Sequence, residues 1–179
     1  MLQPLLSRSV ESLINSLSNE DGAVRQNARV ALTALGQLAV TPLVKLLESD
    51  NSQVRWEAAK ALGEIGGKEA VRALVKKLDD NNRDVRWVAT AGLMGAGDRA
   101  VEPLLHELIV KSGSVWVRES SIRILDSILN ERNREHLRPV LAALKGRAPI
   151  FGVPIAAYEA LISLGRGGES NSQGRIGVR

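Results

Sequence analysis

The sequence contains no cysteine among its 179 residues, and aromatic residues make up only 3% of it. The lack of cysteine excludes disulfides, thiolate metal ligands and a thiol nucleophile, and it suits a reducing compartment. Leucine, valine and alanine must therefore form most of the core, and the 44% hydrophobic content is sufficient for one. No run of about 18 apolar residues and no signal-peptide pattern occurs, so we expect a cytoplasmic protein without a membrane span.

Charge is nearly balanced along most of the chain. The formal net charge is +4, from 24 basic and 20 acidic residues. Four of the basic residues and one acidic residue lie within 1–8 and 166–179, so the residues between are almost neutral. Such a body lacks the continuous basic channel that binds a phosphate backbone, and the composition does not favour nucleic acid as a partner.

A repeat of about 31 residues organises the chain. The dipeptide Val-Arg occurs at 24–25, 54–55, 85–86 and 117–118. Apolar or small residues follow each valine at steps of 4, 7, 8 and 11, which places them on one face of a helix. Capping residue types precede the valines by three positions, and glycines follow the first three valines by twelve positions. The predicted caps are Asp21, Asn51, Asn82 and Ser114, and the predicted stops are Gly36, Gly66 and Gly97.

A second apolar segment precedes each of these helices, so each repeat is predicted to be a helix pair. The second helices are expected near 22–36, 52–66, 83–97, 115–129 and, in a degenerate fifth copy that suits a terminal cap, 153–165. Pro42, Pro103 and Pro139 occupy one shared position in the first helices, and we predict that they lie in the first helical turn, where no N–H donor is needed.

The pattern "VRxxAxxALGxIG" in a helix pair of this length resembles the HEAT-like repeats that are named after phycobilisome lyases. The resemblance covers roughly residues 9–165. It implies an all-α fold, a right-handed α-solenoid of about five helix pairs over residues 1–165, whose second helices line a concave surface. Residues 166–179 are rich in glycine, serine and asparagine and are predicted to form a flexible tail.

Two tryptophans stand opposite the apolar faces of their helices. Trp56 and Trp87 each lie two residues after the repeated valine, on the side that would face the concave surface. They are either anchors for a partner or side chains that pack within the repeat stack. The partner-binding hypothesis selects a strip consisting of Trp56, Trp87, Lys60, Thr90, Met94, Ile122 and Arg123.

Arg25, Arg55, Arg86 and Arg118 form a ladder at the start of the second helices. Capture of phosphate or carboxylate is one interpretation. Because a cation in a first helical turn opposes the helix dipole, and acidic residues precede three of the four copies, hydrogen bonds to the inter-repeat loops are the interpretation that we favour. The ladder is therefore predicted to be structural.

No combination of residues indicates catalysis or a metal site. Related HEAT-like proteins, the deoxyhypusine hydroxylases, bind iron through His-Glu pairs, but here His106-Glu107 lies on a first helix and His136 stands alone. Nucleophile elbows and phosphate-binding loops are absent from the sequence. The basic stretch 131–147 could contact phosphates, although a solvated helix face is the simpler interpretation. We expect neither a cofactor nor a metal.

These observations favour a non-catalytic scaffold or adaptor, monomeric, that binds a protein partner on the concave strip. The alternative is a subunit of a bilin lyase that holds a tetrapyrrole beside an acceptor protein. The sequence identifies neither the partner nor the pathway.

Overall fold

The computed structural model describes the backbone of residues 3–170 and the side chains of residues 9–165. Within these residues the chain forms ten α-helices, two short 3-10 helices and no β-strand. The helices are α1 (Gln3–Ser16), α2 (Gly22–Ala34), α3 (Gln37–Leu46), α4 (Ser52–Ile65), α5 (Lys68–Lys76), α6 (Arg83–Ala96), α7 (Val101–Val110), α8 (Val115–Ile128), α9 (Arg134–Leu144) and α10 (Pro149–Ser170). The 3-10 helices are Lys77–Asp79 and Gly97–Ala100.

The first four second helices begin and end close to where local chemistry predicts, whereas the fifth, α10, begins at Pro149 instead of near 153 and continues to Ser170. Asp21 and Asn51 accept hydrogen bonds from the N–H groups of residues two positions later, at 2.8 and 2.9 Å. Asn82 and Ser114 cap α6 and α8 in the same manner. The predicted glycine stops have φ angles of 57°, 70° and 61°, a conformation that costs a glycine little. The N-cap and glycine predictions are confirmed.

The prediction for the prolines is wrong at two positions. Pro42 is the sixth residue of α3 and Pro139 is the sixth residue of α9, so both lie inside their helices; Pro103 is the third residue of α7. A proline removes one backbone hydrogen bond, which weakens a helix locally. The fully buried neighbours Val40 and Leu43 hold α3 against the core on both sides of Pro42, so the helix continues through it.

The chain divides into two compact units between Ala100 and Val101. In the first unit, the first helices α1, α3 and α5 pack side by side, and the second helices α2, α4 and α6 pack side by side. Leucines, valines and alanines fill the space between these two layers, and Leu17, Leu32, Leu43, Leu62 and Leu74 are almost completely buried. The unit is a regular stack of three helix pairs.

The second unit has a different packing order. Helix α8 packs against α7 and α9, while α10 also packs against α7 and α9. In the first unit, by contrast, α4 packs against α2, and α6 packs against α4. The two units together contain five helix pairs of an all-helical, solenoid-like repeat fold, as predicted. Of the predicted flexible tail, residues 166–170 continue the backbone of α10, and residues 171–179 lie outside the described part of the chain.

Candidate interaction surface

Two glycines bring α4 and α6 into close contact. A Cβ atom on Gly92 would lie 2.9 Å from the Cα of Gly63, and one on Gly63 would lie 3.0 Å from the Cα of Gly92. No side chain therefore fits between the two backbones at this point. Gly63 and Gly92 therefore make room for each other's helix.

The close approach leaves a shallow groove of about 200 Å³ between α4 and α6. Lys60, Glu64 and Ala91 line it together with Gly63, Val88, Gly92 and Gly95. Trp87, Ala91 and Met94 follow one another on α6 at helical spacing, and all three are exposed. Trp87 is 60% exposed, an unusual state for the largest apolar side chain. We call this groove, with the line of Trp87, Ala91 and Met94, the Trp87 surface.

The other first-unit residues of the predicted partner-binding strip differ in their exposure. Trp56 is half-buried on α4, so it and Trp87 are not equivalent. Lys60 is partly exposed and lies 3.5 Å from Glu64. Thr90 is only 5% exposed, and its hydroxyl donates to the carbonyl of Arg86 at 2.8 Å. Its assignment to an accessible strip is therefore wrong: Thr90 lies on the side of α6 that packs inward.

Ile122 and Arg123 lie on α8, in the second unit. Ile122 is half-buried and Arg123 is exposed. Also on α8, Asp126 forms an ion pair with Lys145 at 2.9 Å. These residues belong to a surface of the second unit, which we describe separately from the Trp87 surface.

The four repeated arginines bind the loops that precede their own helices. In each case Nη1 donates to the carbonyl six residues earlier, and in three of the four also to the carbonyl five residues earlier. The acceptors are Asn19 and Glu20 for Arg25, Ser49 and Asp50 for Arg55, Asp80 and Asn81 for Arg86, and Ser112 for Arg118. Backbone carbonyls of the loops between helices are thereby satisfied, and the side chains are engaged with the protein rather than directed toward an anion.

Arg55 also links two repeats through a carboxylate. Its Nε and Nη2 donate to Asp80 at 2.9 and 2.8 Å, and both side chains are buried. The hydrogen bonds to Asp80 raise the pKa of Arg55 against the opposing effect of burial. Burial alone would raise the pKa of Asp80, but hydrogen bonds from Arg55 and from the Asn82 N–H, with the charges of Arg55 and Lys77, lower it. Both groups are therefore charged in the folded protein.

A buried carboxylate, Glu57, joins α4 to α2 and was not identified from the sequence. It accepts hydrogen bonds from Arg25 at 3.4 Å, Arg29 at 3.0 Å and Gln53 at 3.1 Å. Its side chain is only 5% exposed. The corresponding positions in the other repeats are Asn27, Val88 and Ser120, and a charged residue at this step is the one signal that could have identified it. The network fixes the stacking of the first two pairs.

The described residues offer little that could support metal binding, membrane insertion or catalysis. No group of three or more histidine, aspartate or glutamate residues there could hold a metal ion. None of the described helices is long and apolar enough to cross a membrane. The nearest approach to a catalytic contact is a hydrogen bond of 2.8 Å between His136 Nδ1 and the Ser163 hydroxyl, on the exposed side of α9 and α10.

The comparison with protein families agrees with the repeat architecture. A family model described as HEAT repeats matches residues 10–94 and 71–162. The uncharacterized phycocyanin operon protein Z of Pseudanabaena tenuis is 46% identical over 57 residues, which is 31% of this chain and 28% of that protein. The chain thus matches less than a third of this relative's length. An engineered protein, whose crystal structure was determined by the Northeast Structural Genomics Consortium, has 26% identity and a TM-score of 0.44, with 85% of this chain and 77% of that chain covered. Because the HEAT model matches most of the chain, the chain belongs to the HEAT repeat family.

Proposed function

We propose that this protein is a non-catalytic scaffold that binds a partner protein at the Trp87 surface. The observation that carries the proposal is the exposure of Trp87 on a helix that glycine contacts and a buried core hold in place. An exposed indole on a rigid helix loses little conformational freedom on binding and removes a large apolar area from water. Tryptophan is accordingly enriched among the residues that dominate interface energies.

The surroundings of Trp87 support this function. Met94 is flexible and polarizable, so it adapts to the shape of a partner side chain. Glycines line much of the groove between α4 and α6, and Lys60 and Glu64, which carry opposite charges, also line it. An apolar centre with a polar border is the usual composition of a protein interface.

A component associated with phycocyanin is the partner class that the comparisons favour. The support is the 46% identity to a phycocyanin operon protein, over a segment of 57 residues. HEAT repeats occur with many kinds of partner, so the family alone does not select one.

The test compares two exposed tryptophans. Wild type, Trp87→Ala and the control Trp116→Ala are immobilised and exposed to a lysate of the source organism, and captured proteins are identified by mass spectrometry. Trp116 is 43% exposed but lies on α8 in the second unit. We expect wild type to capture a partner protein. Relative to wild type, the affinity for this partner should fall by about 30-fold or more with Trp87→Ala and should be unchanged with Trp116→Ala. Equal capture by all three proteins, or loss with both variants, would reject the Trp87 surface.

The second candidate function is that of a bilin lyase subunit, and the observation in its favour is the operon from which the same relative takes its name. Incubation with a bilin followed by gel filtration distinguishes the two functions. Visible absorbance that elutes with the protein would support the lyase subunit. Our proposal predicts that none does.

A further inference from the structure

Helix α10 has two apolar faces, and the second unit covers one of them. Val153, Ala157 and Ala160 are buried against the unit. About two residues out of phase with them, on the opposite side, lie Phe151, Ile155, Tyr158 and Ile162, which are 77%, 62%, 59% and 39% exposed. A helix that is hydrophobic on all sides is normally buried on all sides. A terminal cap would present a polar outer face, so our prediction of a cap for the fifth copy is wrong.

The spacing of the exposed residues is that of a helix-pairing seam. They follow one another at steps of 4, 3 and 4, which corresponds to the a and d positions of a heptad. This order of steps is the same from either end. In an antiparallel two-fold pair of α10 helices, Phe151 therefore lies opposite Ile162 of the second copy, and Ile155 lies opposite Tyr158. Each aromatic ring meets an aliphatic side chain, and none of the four positions is left without a partner.

Charge does not oppose this pairing. Between residues 149 and 165, Glu159 is the only charged residue of α10. In the same register Glu159 lies opposite Pro154 of the second copy, and not opposite another Glu159. Because the seam contains no charged side chain, covering it costs no hydration free energy of a charged group.

The area is sufficient for a weak, specific dimer. If a fully exposed large side chain presents roughly 200 Å², the exposed fractions of the four residues amount to about 500 Å² per copy. Two copies then bury about 1,000 Å², at the lower limit for a biological interface.

We propose that the exposed stripe Phe151, Ile155, Tyr158 and Ile162 is a homodimer interface, in which the α10 helices of two copies pair antiparallel. This departs from the monomer that we expect from the sequence. The dimer proposal is independent of the Trp87 surface, which lies in the other unit.

The first experiment measures the mass in solution by light scattering over a concentration series. We expect wild type to change from one chain to two with a micromolar dissociation constant, and Ile155→Asp to remain one chain. Val110→Asp is the matched control, because Val110 is 77% exposed on α7, in the same unit but outside the stripe. It should dimerise as wild type does. A single-chain mass for wild type up to about 100 µM, or a dimer that persists in Ile155→Asp, would overturn the proposal.

The second experiment tests the register and uses the absence of native cysteine. Phe151→Cys and Ile162→Cys should each fail to form a disulfide alone, because like positions lie 11 residues, or about 16 Å, apart along the pair. A mixture of the two variants should form a covalent dimer that contains one chain of each. Disulfides in the separate variants would refute the antiparallel pairing and indicate that two copies pair in another register, whereas no disulfide in the mixture would refute the contact between Phe151 and Ile162 of two copies.

Discussion

Replacement of Gly92 by alanine isolates the contact between α4 and α6. Helix propensity alone would favour alanine by about 1 kcal/mol. The new Cβ, however, would lie 2.9 Å from the Cα of Gly63 and 3.0 Å from Leu74 Cδ1. A backbone atom cannot rotate away as a side chain does, so α4 and α6 must separate, at an overpacking cost of about 3 kcal/mol. We expect a net loss of about 2 kcal/mol, which corresponds to a decrease of about 1 M in the urea midpoint.

Gly95 provides the matched control on the same helix. A Cβ on Gly95 meets nothing within 4 Å. Gly95→Ala should therefore gain up to about 1 kcal/mol from helix propensity, and the same substitution should have opposite signs three residues apart. Urea unfolding followed by circular dichroism measures both variants. If Gly92→Ala proves as stable as Gly95→Ala, the contact does not limit the packing of these helices and our explanation is wrong.

Three further predictions concern charged contacts. Asp80→Asn removes the carboxylate that binds Arg55 and should lower the free energy of unfolding by about 3 kcal/mol, measured in urea; a loss below about 1 kcal/mol would contradict the buried pair. The pKa of Asp80 is lowered in the fold, so the stability it contributes is complete above about pH 4 and is lost as the pH falls through the folded pKa. Wild type should therefore lose more stability than Asp80→Asn between about pH 4 and pH 2 in parallel urea titrations, and equal losses would refute this cause. Glu57→Gln weakens the contacts of Arg25 and Arg29 and should cost about 2 kcal/mol in urea, with little dependence on salt because the carboxylate is buried; a loss below about 0.5 kcal/mol would contradict the network.

The features that were predictable from the sequence depend on neighbours along the chain. A helix cap such as Asn51 bonds to an N–H two residues away, and a glycine such as Gly66 ends its helix by its own backbone conformation. Arg55 likewise reaches carbonyls five and six residues earlier. Pro42 is the exception, since buried residues on both sides of it maintain a helix that local rules would begin later.

The residues that were missed or misplaced depend on contacts across the fold. Glu57 accepts from arginines 28 and 32 residues away, and its role follows from which face of α2 lies against α4. The helical period placed Thr90 on the same side as Trp87, because positions three residues apart lie on one broad face; packing then buries Thr90 and leaves Trp87 exposed.

The sequence by itself determined the repeat, the bounds of the first four second helices, their apolar faces and the family, because hydrophobic period, caps and glycines act within one or two helical turns. Only the tertiary structure decided that Gly63 meets Gly92 and that Arg55 pairs with Asp80. It also decided that one of the two apolar faces of α10 is exposed on the surface of the single chain. The physical reason is that each of these outcomes depends on the rotation and offset of one packed helix against another, which no interaction within a single helix specifies.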